Sequence, residues 1–210
     1  MFGIDNYAGF VAAAVILNLT PGADTMYILT RSIAQGSRAG LVSVAGIMSG
    51  CVVHVLAAAF GLSLILSTSA VTFFLVKWAG ALYLIFLGIR ALTSKNLAFE
   101  TQNSQFSHKD LITIYKQGVI TNVLNPKVAL FFLSFLPQFI NPANAKGPLP
   151  FLALGGTFLF TGTIWCLILT RAAARMTQTL RENARIGSWM QKLSGIVFIG
   201  FGLKLALDNR

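Results

Sequence analysis

The chain has 210 residues, of which 55% are hydrophobic and only 10% charged, with a mean hydropathy of +0.72. Ordinary soluble domains carry roughly 25% charged residues, so a soluble globule and a disordered chain are both excluded. The net charge of +10 does not mark a nucleic-acid binder, because Arg and Lys fall in short gaps between long apolar runs and form no basic stripe with interleaved aromatics.

About 20 apolar residues cross a bilayer, so the length accommodates six spans and short loops. The start, Met1 to Asp5, lacks the basic n-region of a cleavable signal, and the first apolar run reads as a span over 7–29. It contains Asn18-Leu19-Thr20-Pro21-Gly22 and then Asp24, the only acid that falls within an expected span. Pro21 cannot donate an N–H and clashes with the preceding turn, and Gly22 follows it, so the helix is expected to open there. The second span, 40–66, carries Gly46, Gly50 and His54 at intervals of four, hence on one helix face. The glycines permit close helix approach. His54 is either a satisfied core residue or a polar cavity wall and proton relay. Residues 39–76 are free of Asp, Glu, Lys and Arg, too long for one span; Ser67-Thr68-Ser69 supplies a break, and a third span follows over 72–92.

Residues 95–116 form the only long polar stretch and read as a linker between two halves, 1–94 and 117–210. The fourth span, 117–140, holds Asn122-Val123-Leu124-Asn125-Pro126-Lys127, a second expected break with a charge beside it. At 1.5 Å per residue, Pro21 lies roughly 12 Å and Pro126 roughly 14 Å from the same membrane face, so the breaks can share one depth. The fifth and sixth spans are expected at 149–171 and 189–207. Trp78 and Trp189 read as interfacial anchors, and Trp165 as packing.

Basic residues are unevenly divided between the two sides. Arg31, Arg38, Arg90, Lys95, Lys109, Lys116, Arg171, Arg175, Arg181, Arg185 and Lys192 fall on one side, against Lys77, Lys146, Lys204 and Arg210 on the other. The richer side is expected to be cytoplasmic, which puts both termini outside. The chain also resembles itself. Lys77 to Phe86 matches Lys192 to Phe201 in its Lys, Gly and Phe positions, and the same offset pairs Gly40 with Gly155 and Cys51 with Cys166. Three spans per half require the halves to be inverted. The expected fold is therefore an all-α membrane protein of six helices in two inverted three-helix repeats, with helices 1 and 4 broken at Pro/Gly. Broken helices at equivalent positions of inverted repeats point to a transporter site.

Open backbone at mid-membrane depth is tolerated only where it is buried in protein or lines a cavity. Two readings of the charges at the breaks stand side by side. Asp24 and Lys127 could form a structural ion pair between the halves. Alternatively they could receive a zwitterion, Asp24 meeting its ammonium and Lys127 its carboxylate, with Asn18, Asn122 and Asn125 adding hydrogen bonds. Burial can raise a carboxyl pKa toward neutrality, which makes Asp24 the candidate proton carrier. Two His and two Cys show no metal-ligand spacing, and there is neither a nucleophile elbow nor a phosphate loop, so neither enzyme chemistry nor a cofactor is expected.

Taken together, Asn18 to Asp24, Thr30-Arg31-Ser32 with Gly36 and Arg38-Ala39-Gly40, Gly46 to His54, Lys77 to Leu84, Asn122 to Lys127, Phe131-Phe132 and Phe135 to Phe139 resemble the LysE/RhtB family of amino-acid exporters over nearly the whole chain. One departure is Ala23, where the family commonly has Pro. The resemblance implies a bacterial inner-membrane secondary carrier, driven by the proton gradient, that exports amino acids or close derivatives. The pattern is closer to the RhtB branch, which implies a neutral substrate of the threonine, homoserine or leucine type. Its partners would be the amino acid, the proton and the lipid bilayer, with a homodimer as an option and no nucleic acid. Two alternatives stand beside it: a membrane thiol-redox carrier using Cys51 and Cys166, and a membrane interaction subunit that does not transport.

Overall fold

A computed structural model describes residues 3–62, 70–93, 109–141, 143–144 and 147–175, together with positions 192, 196, 199, 200, 203, 206 and 207. Apart from one antiparallel bridge between Ile4 and Ile140, the regular structure described is helical. Helix α1 spans Tyr7–Leu19 and α2 spans Ala23–Ala57, ending in a π-helical turn over Ala58–Leu62. Helix α3 covers Ala70–Thr93, α4 Lys109–Val123, α5 Pro126–Leu130 and α6 Leu149–Arg175. Between α5 and α6 the chain passes through a π-helical turn, Phe131–Phe135, and a 3-10 turn, Leu136–Phe139. Ser67-Thr68-Ser69, residues 95–108, Trp189 and most of the sixth expected span lie outside the described residues.

Two runs, Gln35–Gly61 and Leu149–Ala173, are long and apolar enough to cross a membrane singly. Two further pairs pass the same test as broken spans: Tyr7–Leu19 with Ala23–Ile33, bent by 49°, and Asp110–Val123 with Pro126–Phe139, bent by 44°. Both bends fall where the sequence placed Pro21 and Pro126. Many large apolar side chains face outward, including Phe60 at 62%, Phe160 at 68% and Val71 at 70% exposure. Water would penalise such a surface, whereas lipid does not.

Two boundaries differ from expectation. Helix α4 starts at Lys109, within the stretch read as linker. Hydropathy reports what a segment is solvated by and does not report whether it is helical, and the polar first turns of α4 lie at the end of the span. The loop expected between the first two spans is reduced to Gly36, whose φ of +80° and ψ of 177° interrupt α2. That conformation is open essentially to glycine alone. The chain reverses there, because Gly40 packs against the Ser32 side chain. A straight helix would hold those residues about 12 Å apart.

The packing follows from small residues and rings. Gly46 and Gly50 on α2 face α4, where a Cβ on Gly46 would sit 2.3 Å from the Tyr115 carbonyl oxygen and 3.1 Å from the Gly118 Cα. The helices touch backbone to backbone there, as the four-residue spacing anticipates. At the other end, Phe10 of α1 stacks into Phe131, Phe135, Phe139 and Phe158, with ring centroids 4.9–5.9 Å apart from neighbour to neighbour. Cys51 and Cys166 are buried free thiols in separate packed clusters.

The ends of the broken spans pair up. Ile4 bridges Ile140, and the Asp5 N–H donates to the Phe139 carbonyl at 2.8 Å. At the other end, Tyr27 Oη donates to the Ile114 carbonyl at 2.7 Å and Arg31 Nη2 to Gln117 Oε1 at 2.6 Å. The two broken spans therefore run side by side in opposite directions, with their bends facing.

Candidate functional site

The first break follows from one missing hydrogen. In an α-helix the N–H of residue i bonds the carbonyl of i−4. Pro21 has none, so the Leu17 carbonyl loses its partner. The neighbouring hydroxyl does not repair this, because Thr20 Oγ1 and the Thr20 N–H both donate to Ile16 O, at 2.7 and 3.0 Å. Instead Lys127 Nζ donates to Leu17 O at 3.2 Å and to Thr20 O at 2.8 Å. An ammonium at a helix C-terminus also complements the helix dipole. Gly22 makes room for it: a Cβ there would stand 3.2 Å from Lys127 Nζ.

The second break repeats the problem. Pro126 leaves the Asn122 carbonyl without its i+4 donor. The Asn125 N–H reaches that carbonyl at 2.9 Å in a tighter turn, and His54 Nε2 lies 3.0 Å from the same oxygen. A carbonyl only accepts, so His54 carries its hydrogen on Nε2. The imidazole stacks on Phe132 at 6.1 Å. Asn125 then caps α5, its Oδ1 accepting from the Lys127 N–H at 3.1 Å.

Asp24 sits in the first turn of α2, where the helix dipole favours an anion. Asn122 Nδ2 donates to its Oδ2 at 2.9 Å. Asp24 Oδ1, Asn122 Oδ1 and Asn125 Nδ2 are buried without a partner among the described residues. Asn122 and Asn125 are only 2% and 3% exposed. Unsatisfied buried polar atoms are rare, and each is a place where a polar ligand would gain a hydrogen bond. Asp24 and Lys127 make no ion pair with each other; the carboxylate is held by Asn122 and the ammonium by the carbonyls.

Of the residues singled out in the sequence, Asp24, Asn122, Asn125, Lys127, His54, Pro21, Gly22 and Pro126 thus meet in one connected junction. Asn18 does not join it. Its Nδ2 donates to Thr161 Oγ1 of α6 at 3.1 Å, and it lines a separate cavity of about 210 Å³ with Val15, Leu19, Ile164, Trp165 and Ile168. Trp165 Nε1 is buried there without a partner among the described residues. The sequence reading missed the carbonyls of Leu17 and Thr20. Counting four residues back from each proline would have found Leu17, and would have flagged Asn122 for its carbonyl as well as its side chain. It also missed the Tyr27–Ile114 and Arg31–Gln117 contacts, for which no motif gives a signal.

The family model described as LysE type translocator matches residues 15–209. A leucine efflux protein of Klebsiella pneumoniae is 31% identical over 206 residues, covering 98% of this chain and 96% of its own length. A leucine efflux protein of Salmonella typhimurium is 28% identical over 209 residues, with 98% and 96% coverage. An uncharacterized membrane protein of Vibrio cholerae is 31% identical over 201 residues, with 95% and 96% coverage. No solved structure matches significantly. The chain belongs to the LysE-type translocator family, and is a multi-pass membrane transporter and not an enzyme.

Proposed function

We propose that the protein exports amino acids, or close derivatives, of neutral leucine, threonine or homoserine type across the bacterial inner membrane. The observation that carries this reading is the unpartnered Asp24 Oδ1, buried beside Asn122 where two broken helices of a LysE-type translocator meet. Asp24 Oδ1 and Asn122 Oδ1 are both acceptors and suit a substrate ammonium. Two of the three Lys127 N–H groups are already committed to carbonyls. The substrate carboxylate accordingly falls to Asn125 Nδ2 and the first-turn N–H groups of α2, which have no intrahelical acceptor. The leucine efflux proteins among the relatives support an apolar side chain on the substrate.

In this reading the halves 1–94 and 117–210 are inverted three-helix repeats joined by 95–116. Transport is alternating access around the paired breaks, and Asp24 takes a proton in exchange for the substrate. The basic side is cytoplasmic, both termini face out, and the protein works alone or as a homodimer. The test is uptake of labelled L-leucine, L-threonine and L-homoserine into everted vesicles, with and without an imposed pH gradient. Gradient-driven uptake of at least one of them, lost in Asp24→Asn, is expected. A folded, inserted wild type that moves none of the three would overturn the proposal.

A further inference from the structure

Each proline removes one hydrogen bond from its own span, and in each case a donor reaches the freed carbonyl from the opposite half of the chain, alone at Leu17 and beside the Asn125 N–H at Asn122. Lys127, in the second half, serves Leu17 and Thr20 in the first, while His54, in the first half, serves Asn122 in the second. Each arrangement also has a glycine at its side. Gly22 faces Lys127 Nζ, and a Cβ on Gly50 would stand 2.8 Å from the Asn122 Cβ and 3.2 Å from its Oδ1. Backbone groups freed by proline in membrane helices are re-satisfied by Ser/Thr side chains, ordered water, local turns or neighbouring helices. Here the donors are buried or half-buried side chains aimed across the interface between the halves.

We propose that Lys127 and His54 are reciprocal positioning residues, each donating across the interface to the carbonyl that a proline frees in the opposite half, His54 reinforcing the Asn125 N–H at Asn122. Neither touches the substrate. Together they fix both bends, and so hold Asp24, Asn122 and Asn125 in register. The proposal deepens the amino-acid reading for Asp24, on which its binding readout rests, but its structural readout is independent of any substrate.

The experiment uses the full chain with Lys127→Met, Lys127→Arg, His54→Leu and His54→Gln. Arg and Gln keep a donor within reach, and Met and Leu do not. Binding is measured for L-leucine and for L-leucinamide, which lacks the carboxylate. In Lys127→Met and His54→Leu, affinity for the two ligands is expected to fall by a common factor of at least ten. Lys127→Arg and His54→Gln should recover most of it. If Lys127→Met loses leucine but keeps leucinamide, Lys127 grips the carboxylate and the proposal is wrong. Hydrogen exchange of the α1 terminus, read on peptides containing Thr20, supplies the second measurement. It should quicken at least tenfold in Lys127→Met and stay near wild type in Lys127→Arg; equal exchange in all three overturns the proposal. Should Lys127→Met not fold, the His54→Leu and His54→Gln pair decides by the same ligand comparison. A wild type that binds neither ligand defeats the amino-acid reading alone, and the exchange measurement still decides the proposal.

Discussion

Substituting Gly46 by Ala tests the contact on which the junction is built. The added Cβ would sit 2.3 Å from the Tyr115 carbonyl oxygen and 3.1 Å from the Gly118 Cα, both backbone atoms that no rotamer change can move. Ordinary contact distances require α2 and α4 to separate by about 1 Å. Overpacking of this kind costs about 1–3 kcal/mol. At about 2–4 °C per kcal/mol for a chain of this size, the melting temperature in detergent should drop by about 2–12 °C. The damage should reach the second break. His54 lies on the same face of α2, and its 3.0 Å bond to Asn122 O would stretch past hydrogen-bond range if the helices part by that amount. Transport should therefore fall with stability. Gly156→Ala is the control: it lies in α6, with nothing within 4 Å of its Cβ position, and alanine is the better helix former. Its melting temperature should equal or exceed that of wild type. If Gly46→Ala melts and transports like Gly156→Ala, the backbone contact between α2 and α4 is not as close as described.

Gly36→Ala has free space for its Cβ but an unsuitable backbone, with φ +80°, so it should destabilise by about 1–3 kcal/mol through strain alone, readable as a lowered melting temperature. Gly61→Ala, also without a neighbour within 4 Å but with no such φ, should not, and equal losses in both would refute the strain argument. The double variant Cys51→Ala, Cys166→Ala should retain transport in oxidising and reducing buffers alike, because both are free thiols buried in packed apolar clusters. A redox-dependent activity lost in that variant would revive a thiol-carrier role.

The breaks were legible because proline acts locally: it removes one N–H wherever it stands, and two prolines beside Asn residues flagged both bends. The glycine face of α2 was legible for the same reason, since spacing of four fixes a face before any partner is known. The partners themselves were not. Lys127 could be read as a ligand for a carboxylate or for Asp24, and the structure gives it two carbonyl oxygens. Which acceptor an ammonium finds depends on the register of two helices far apart in sequence, which composition does not carry. Asn18 looked equivalent to Asn122 because both precede a proline by a few residues. One sits three positions before its proline and the other four, about 100° apart on a helix, so one points to α6 and the other to Asp24. The start of α4 was misplaced because polarity marks the edge of the membrane and not the end of a helix.

The bridge between Ile4 and Ile140 has a mechanical consequence. With the Asp5–Phe139 and Asn141–Gly3 backbone bonds and the ring of Phe10 against Phe131 and Phe139, it welds α1 to the distal half of the fourth span. Helices α2 and α4 are fastened to each other by Gly46, Gly50 and Gly118. Each rigid piece thus takes one segment from either side of the linker. The boundary between these pieces runs through the two prolines, across the gene-order halves and not between them. Each broken span is thereby shared between the two pieces, its segments on either side of residues 20–22 or 124–125 held by different partners.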